Sequence, residues 1–254
     1  MTRFADKTVI VTGAGSGMGA ATARKFAAEG ANVVLAGRRA EPLEAVARDL
    51  PEGRALAVTA DVTQPGDAAR LVAATLERFG ALDVLVNNAG TARTGRIDAL
   101  PEEDWDMVIE TDLTGVYRMT RAAWEALAAS GGNVVNTSSV SGLGGDWGMF
   151  AYNAAKGGVS NLTRALALDY ASSGIRVNAV APGYTRTPMA EGIGEDDALR
   201  AKFEERIPMG RGAEPEEVAD AIAFLASAEA GFVNGVNLPV DGGLSASNGQ
   251  PPQA

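Results

Sequence analysis

Three side chains near the middle of the chain have the types and spacing that proton transfer requires. Tyr152 and Lys156 stand four residues apart, so on a helix both lie on one face, about one turn apart. A neighbouring ammonium favours the phenolate and lowers the pKa of a phenol, whose reference value is about 10. Ser139 ends an apolar run that predicts a buried parallel strand, and its hydroxyl would point into the ligand crevice. We therefore predict an acid/base site in which Tyr152 moves the proton, Lys156 tunes its pKa and Ser139 holds the reacting oxygen.

The Tyr-x-x-x-Lys pair alone is weak evidence, because such a spacing is more often an ordinary pair on a helix surface, so the rest of the chain has to decide. The chain has 254 residues, of which 46% are hydrophobic and 21% charged, as in an ordinary globular protein. It contains neither cysteine nor histidine, which excludes Ser-His-Asp hydrolysis, a thiolate nucleophile and a histidine-ligated zinc. Acid/base chemistry at neutral pH therefore falls to Tyr, Lys, Asp or Glu, and we predict no metal site.

Charge and hydropathy restrict the partners. The net charge of −10 argues against a nucleic-acid-binding face, which would be basic. No apolar run is long enough to span a bilayer, and no charged-then-apolar leader is recognisable at Met1. We therefore expect a cytoplasmic protein with neither a nucleic-acid nor a membrane partner.

A glycine-rich turn near the N-terminus predicts a phosphate site. Residues 7–12 form a β-branched run typical of a buried strand, residues 13–19 contain four glycines, and an alanine-rich amphipathic helix follows to about Glu29. A strand, a glycine turn and a helix in this order present helix N-terminal amides to a phosphate. Because glycines let the backbone approach a pyrophosphate closely, we predict dinucleotide binding.

The tip of the second predicted strand, residues 32–36, bears on the choice of cofactor. Many dinucleotide sites have a carboxylate about 20 residues after the glycines, where it accepts a hydrogen bond from the ribose. Here the tip continues as Gly37, Arg38 and Arg39, with no carboxylate. Guanidinium groups suit a 2′-phosphate, so the sequence favours NADP(H). The alternative is a solvated basic turn, in which case NAD(H) is possible.

Predicted strands and helices alternate along the chain without a linker or an internal repeat. This pattern predicts a single α/β domain over residues 1–254, a doubly wound Rossmann fold with a parallel sheet flanked by helices. One long helix is expected from 102 to about 129, and another carries Tyr152. The polar segment 185–212 is interpreted as a mobile substrate loop, and residues 244–254 as a C-terminal tail.

Taken in order, the motifs resemble those of the classical short-chain dehydrogenase/reductase family, from Lys7 to Gly243. This resemblance implies a mainly seven-stranded parallel sheet, an NAD(P)(H)-dependent interconversion of a secondary alcohol and a ketone, and a homotetramer or homodimer. The matching motifs are Thr12-Gly13-x-x-x-Gly17-x-Gly19, Asp61-Val62, Asn87-Asn88-Ala89-Gly90, Ser139 with Tyr152-x-x-x-Lys156, Pro182-Gly183 with Thr187, and Val240-Asp241-Gly242-Gly243.

The resemblance also implies a role for each motif. Ser139 would polarise the substrate oxygen, Tyr152 would donate or accept its proton, and Lys156 would hold the nicotinamide ribose and keep Tyr152 acidic. The remaining cofactor contacts are implied as follows: Gly13, Ser16, Met18 and Gly19 at the pyrophosphate and ribose, Arg38 at the 2′-phosphate, Asp61 and Val62 at the adenine, Asn88 and Gly90 at the adenosine side, and Thr185 and Thr187 beside the nicotinamide carboxamide.

One position departs from the family's pattern. The family usually has Asn where this chain has Asp112, and that Asn supports a water-linked proton path from the lysine. Aspartate has nearly the same shape but lacks the amide donor. An ionised Asp112 would strengthen the hold on Lys156 or compete with Tyr152 for it, so we expect activity with an altered pH profile.

Large, mostly apolar residues are expected to form the walls of the substrate pocket. Trp147 and Tyr184 are the main candidates for substrate contacts, beside Ser139 and Tyr152. They suggest a small-molecule secondary alcohol or ketone of modest size. Two alternatives stay open at this point, a 3-oxoacyl-carrier reductase and a non-catalytic dinucleotide-binding protein. An acidic carrier would need a basic surface patch, whereas this chain is acidic, and a non-catalytic protein has no need of all three catalytic side chains.

Overall fold

A seven-stranded, entirely parallel sheet forms the centre of the molecule in the computed structural model, which describes residues 2–248 and 250. The strand order is β3-β2-β1-β4-β5-β6-β7. The predicted Rossmann architecture and parallel sheet are therefore confirmed. The strands are β1 Thr8–Thr12, β2 Asn32–Gly37, β3 Ala55–Thr59, β4 Val84–Asn87, β5 Asn133–Thr137, β6 Arg176–Pro182 and β7 Asn237–Val240.

Helices cover both faces of this sheet. They are α1 Gly17–Ala28, α2 Ala40–Arg48, α3 Asp67–Phe79, α4 Glu102–Ile109, α5 Gly115–Ser130, α6 Phe150–Asp169, α7 Glu191–Glu195, α8 Asp197–Arg206 and α9 Pro215–Ala226. Among the residues that the structure describes, no helix has the length and apolar character needed to cross a membrane.

Alternating side chains of the strands supply two separate cores. Val9 and Val11 of β1 pack in the cluster formed with α1, α2 and α9. Ile10, between them, packs in the opposite cluster with α3, α5 and α6. This alternation follows from the two-residue period of a strand, and burial on both faces explains why the central strands are almost continuously apolar.

The strand order reverses between β1, which leads toward β2 and β3, and β4, which leads toward β5 and β6. The carboxyl ends of the strands diverge at such a switch point and leave a crevice for a ligand. The predicted functional loops after β1, β2, β4 and β5 all open at this edge.

The long helix expected over 102–129 is interrupted. Its α4 and α5 portions are separated by a π-helical segment, Glu110–Thr114, which contains the buried Asp112. A π segment adds a residue to the turn, so it changes which side chains face inward, and such segments often occur at functional sites. The apolar periodicity of the sequence continues across the segment and did not reveal it.

The predicted substrate loop over residues 185–212 contains regular structure. It holds a 3₁₀ turn, Pro188–Ala190, followed by α7 and α8. Asp196 caps α8, because its Oδ1 accepts hydrogen bonds from the amides of Ala198 and Leu199, both at 3.0 Å. The mobility of this segment stays a prediction. Of the predicted tail, residues 249 and 251–254 lie outside the described part of the chain.

Candidate active site

The three predicted catalytic side chains come from two neighbouring elements at the carboxyl edge of the sheet. Ser139 follows β5 and begins the 3₁₀ turn Val140–Gly142. Tyr152 and Lys156 lie in the first two turns of α6, with Lys156 Nζ 5.5 Å from the centre of the Tyr152 ring. Ser139 is 7% exposed and Lys156 3%, so water has little access to either side chain.

Two groups from other elements hold the ammonium of Lys156. Its Nζ donates to the carbonyl oxygen of Thr137 at the end of β5, at 2.9 Å, and lies 3.1 Å from Oδ2 of Asp112 in the π-helical segment. Burial lowers the pKa of Lys156, but the charges of Asp112 and Tyr152 more than offset this effect and leave the pKa above its usual value. The lysine is therefore a fixed cation.

Asp112 is completely buried, with 0% exposure. Its Oδ1 accepts a hydrogen bond from the amide of Thr91 at 2.7 Å. Burial raises the pKa of this carboxyl group, while Lys156 and the Thr91 amide counteract that rise in part. Gly90 is adapted to this carboxylate, because a Cβ at position 90 would lie 2.9 Å from Asp112 Oδ2.

The pKa of Tyr152 corrects the prediction made from the Tyr-x-x-x-Lys spacing. The phenol has a pKa above its usual value, and the largest cause is burial, which disfavours the phenolate. Lys156 lowers the pKa of Tyr152 as predicted, and so does the nearby hydroxyl of Ser139, but Asp112 and Asp146 raise it further. The sequence pattern identified the cation but did not reveal the desolvation or the two carboxylates.

The cofactor-binding prediction corresponds to a cavity of about 300 Å³ at the switch point. It extends from the glycine turn past the tips of β2 and β3 to the loop after β4. Six of the predicted cofactor residues line it: Gly13, Ser16, Arg38, Asp61, Val62 and Gly90. Thr91 and Arg93 also line the cavity and were missed, although their position directly after the Asn-Asn-Ala-Gly motif was a usable signal.

The glycine turn packs too tightly for side chains. A Cβ at Gly19 would overlap the carbonyl oxygen of Gly13, and one at Gly13 would lie 2.9 Å from the Cα of Ala89. Helix α1 begins immediately after Ser16 and has no acidic residue in its first turn, so its N-terminal amides suit an anion. Met18 instead packs against the hydrophobic core with its side chain, which leaves only its backbone for a cofactor.

Arg38 and Arg39 are exposed at the tip of β2, where both line the cavity. Within the described residues, neither guanidinium forms an ion pair with a carboxylate. Arg39 lies directly before α2. Both cations are therefore available to an anionic group in the cavity.

Asp61 and Asn88, two other predicted cofactor residues, form hydrogen bonds within the protein, and Asn88 also keeps an unpaired acceptor. Asp61 Oδ1 accepts from the amide of Thr63 at 2.9 Å and from its hydroxyl at 2.8 Å. Asn88 donates from Nδ2 to the carbonyl oxygen of Thr12 at 3.0 Å, which ties β4 to β1. The Oδ1 of Asn88 is buried without a hydrogen-bond partner in the part of the chain that the structure describes. This unpaired acceptor and the amides of α1 fit a polar ligand such as a dinucleotide.

Thr185 and Thr187 follow β6 on the other side of the glycine turn. Thr185 is buried and donates to the carbonyl oxygen of Gly183 at 3.1 Å. The side chain of Thr187 covers Gly17, where an added Cβ would meet Thr187 Cγ2 at 3.1 Å. The segment after β6 therefore contacts the start of α1.

The two predicted substrate residues occupy different environments. Trp147 is 92% exposed and lies in the loop between Ser139 and α6. Tyr184 packs against Phe203 of α8, with ring centres 5.7 Å apart, and lines a cavity with Ile207 and Asp241 that does not include the catalytic side chains. Their contact with substrate stays a prediction.

These features define a class of protein, a Rossmann-fold oxidoreductase with a serine, a tyrosine and a lysine beside a dinucleotide crevice. The family model described as "Enoyl-(Acyl carrier protein) reductase" matches residues 13–245. Meso-2,3-butanediol dehydrogenase from Serratia marcescens is 49% identical over 249 residues, which cover 98% of this chain and 98% of the relative. Cis-4-hydroxycyclohexanecarboxylate dehydrogenase from Sinomonas cyclohexanicum is 50% identical over 247 residues, covering 96% and 98%.

A solved structure gives the same result. The crystal structure of levodione reductase superposes with a TM-score of 0.91 at 38% identity and covers 96% of this chain and 99% of its own. The chain therefore belongs to the short-chain dehydrogenase/reductase family, whose members bind a nicotinamide dinucleotide, and it is an oxidoreductase acting on alcohols or ketones. The predicted family and enzyme class are therefore confirmed. The comparisons do not support the alternative of a non-catalytic dinucleotide-binding protein.

Proposed function

We propose that this protein interconverts a small secondary alcohol and its ketone with NADP(H), using Tyr152 as the acid/base, Ser139 to hold the substrate oxygen and Lys156 to hold the nicotinamide ribose. The observation that carries the proposal is the juxtaposition of these side chains, one buried cation beside one phenol, at the switch-point edge. The nicotinamide ring supplies or accepts the hydride when the cofactor is bound.

Lys156 is suited to a binding role because its donors are only partly used. An ammonium has three N–H donors, and Thr137 and Asp112 engage two directions around Nζ. The third donor is available to a ribose hydroxyl. A cation fixed in this way also limits the rise in the pKa of Tyr152 that burial causes.

The two directions of the reaction need Tyr152 in different protonation states, and its raised pKa affects how much of each state is present. At neutral pH the phenol is protonated, so it serves directly as the acid that gives a proton to the developing alkoxide during ketone reduction. Alcohol oxidation needs the phenolate as the base. Reduction is therefore expected to fall, and oxidation to rise, as the pH passes upward through the apparent pKa of the site.

The preference for NADP(H) rests on Arg38 and Arg39. Both line the cavity, and an unpaired guanidinium at the tip of β2 suits a 2′-phosphate, whereas the usual ribose-binding carboxylate is not found there. NAD(H) remains the alternative cofactor. The proposed assembly is a homotetramer or homodimer, and cytoplasmic localisation stays a prediction.

The relatives suggest which substrates to try first. Their names specify a diol and a hydroxylated cyclohexanecarboxylate, and both contain a secondary alcohol of modest size. The family model's description favours an acyl-carrier substrate as a second candidate, but an acidic carrier would be repelled by a chain with a net charge of −10.

The test is turnover of defined pairs by the purified protein. We expect reduction of 3-hydroxybutan-2-one or 4-oxocyclohexanecarboxylate with NADPH, and oxidation of the matching alcohols with NADP⁺. Tyr152→Phe should lower kcat by a factor of about 10² to 10⁴, the usual contribution of one general acid or base, while the Kd for NADPH stays within twofold. A Tyr152→Phe variant with undiminished turnover would overturn the proposal, and turnover of an acyl-carrier thioester alone would favour the second candidate.

A further inference from the structure

A chain of hydrogen bonds leads from the catalytic serine to a carboxylate at the surface. Ser139 Oγ donates to Ser141 Oγ at 3.2 Å, and Ser141 Oγ in turn donates to Oδ2 of Asp146. Both hydroxyl groups are buried, with Ser139 at 7% and Ser141 at 5% exposure, whereas Asp146 is exposed. Neither Ser141 nor Asp146 is among the predicted site residues.

The direction of this chain follows from counting protons. An ionised carboxylate only accepts hydrogen bonds, and a serine hydroxyl has one proton to give. Ser141 gives its proton to Asp146, so Ser141 Oγ can only accept from Ser139. The single proton of Ser139 therefore points toward Ser141 and is not free for another acceptor.

The backbone and α6 keep this arrangement in place. The amide of Ser141 donates to Ser139 Oγ at 3.2 Å, which occupies one lone pair of that oxygen and leaves one free. Asn153, next to Tyr152 on α6, donates from Nδ2 to the carbonyl oxygen of Asp146 at 3.1 Å and accepts from the Asp146 amide at 3.3 Å. The backbone of Asp146 is thus anchored to the helix that carries the acid/base residue.

We propose that Asp146 is a positioning residue that acts through Ser141 to hold the Ser139 hydroxyl in its acceptor orientation. In this orientation Ser139 offers a lone pair to the hydroxyl of an alcohol. A ketone oxygen has no proton to give, so Ser139 must rotate and break its bond to Ser141 before it can donate to the ketone. The resting site therefore favours the alcohol over the ketone. This inference rests on the proposed role of Ser139 and adds a control on which substrate form the site prefers.

Two truncations remove the bias by different routes. Ser141→Ala deletes the acceptor of the Ser139 proton, and Asp146→Ala frees the Ser141 proton so that Ser141 can donate to Ser139 instead. Each variant should lower the ratio of the ketone dissociation constant to the alcohol dissociation constant by about fivefold, the size expected from one neutral hydrogen bond. The double variant should show no further change, because both residues act in one chain.

The ratio is best measured in complexes that cannot react. We would titrate 4-oxocyclohexanecarboxylate into the protein saturated with NADP⁺, and cis-4-hydroxycyclohexanecarboxylate into the protein saturated with NADPH, and follow cofactor or tryptophan fluorescence. Asp169→Ala is the matched control, since Asp169, like Asp146, has an exposed carboxylate but lies at the far end of α6. It should leave the ratio unchanged, and all variants should bind NADPH with the wild-type Kd.

Each result of these titrations supports or contradicts the proposed relay from Asp146 through Ser141 to Ser139. An unchanged ratio in Ser141→Ala would overturn the inference, and so would a failure of the wild-type protein to bind either probe in these complexes. If Asp146→Ala still changed the ratio in the Ser141→Ala background, Asp146 would act through its charge and the relay would be wrong. The proposed function fails separately, when Tyr152→Phe retains full turnover.

Discussion

The predicted adenosine end and the predicted catalytic end of the crevice are built on different principles. At the adenosine end, the glycine turn, the N-terminus of α1 and the tip of β2 present backbone amides and exposed cations to the cavity. At the catalytic end, the buried Lys156 and Asp112 and the half-buried Tyr152 form a group of charged and titratable side chains from α6 and the π-helical segment. A local sequence pattern is enough to describe the first region. The properties of the second depend on residues that are distant in the chain.

The difference has an electrostatic origin. The guanidiniums of Arg38 and Arg39 are exposed to water, which solvates their charge without help from the rest of the fold. A buried phenol has no such independence, because its pKa is the balance of desolvation and each neighbouring charge. In Tyr152 the desolvation and two carboxylates outweigh the lysine.

The largest expected effect is a loss of folding stability caused by a substitution at the catalytic end. Lys156→Met leaves the Asp112 carboxylate buried without its cation, which should destabilise the fold by about 3 kcal/mol and lower kcat by about 10³. Urea unfolding and steady-state kinetics measure the two effects. In the double variant Lys156→Met with Asp112→Asn we expect the stability to return and the activity to remain lost. If the single variant were as stable as wild type, the buried pair would not be ionic.

The next effect tests the backbone character of the adenosine end. Gly19→Ala adds a Cβ that overlaps the Gly13 carbonyl oxygen, so the turn must shift and the Kd for NADPH should rise about ten- to hundredfold, as strain of this kind costs about 1–3 kcal/mol. Gly192→Ala is the control, because it lies in a short helix with open space around the added Cβ. Equal NADPH affinity in both variants would contradict the tight packing of the turn.

A smaller effect distinguishes the two cofactors. Arg38→Ala should weaken NADPH binding about tenfold, the size of one hydrogen bond to a charged group, and should leave NADH binding unchanged. Fluorescence titrations at matched salt give both constants. Arg164→Ala, an exposed arginine on α6 away from the cavity, is the control. Equal losses for NADH and NADPH would mean that Arg38 does not recognise the 2′-phosphate.

The smallest effect concerns the pH profile of the catalytic end. Asp112 raises the pKa of Tyr152, so Asp112→Asn should lower it, and the rise of alcohol oxidation with pH should move toward acid. The fall of ketone reduction should move in the same direction, because both limbs report the same phenol. Superimposable pH–rate curves for the wild type and the variant would show that Asp112 is not an ionised neighbour.

Some of the site followed directly from residue types and spacing. The four-residue interval placed Tyr152 and Lys156 on one face of α6, and the β-branched run before Ser139 placed that serine at the tip of β5. The same logic located the glycine turn before α1 and identified the sheet as parallel. These features are local, so backbone geometry and hydrophobic periodicity are sufficient to predict them.

Other features had no local signal. The π-helical segment looks like ordinary helix in the sequence, yet it brings Asp112 within 3.1 Å of Lys156. Trp147 was interpreted as a pocket wall and is almost fully exposed. The role of Ser141 depends on a carboxylate five residues away, whose loop is anchored by hydrogen bonds to Asn153.

The sequence by itself determined the family, through the resemblance of its ordered motifs, and the parallel Rossmann sheet, through periodicity and glycine positions. It also singled out the three side chains that are predicted to move or hold a proton, because their types and spacing are local features. Only the tertiary structure decided the protonation properties of those side chains. Their pKa values and hydrogen-bond directions depend on burial and on charges that α6, the π-helical segment and the loop before α6 bring together. Such interactions depend on distance in space and on the exclusion of water, and the linear sequence specifies neither until the chain has folded.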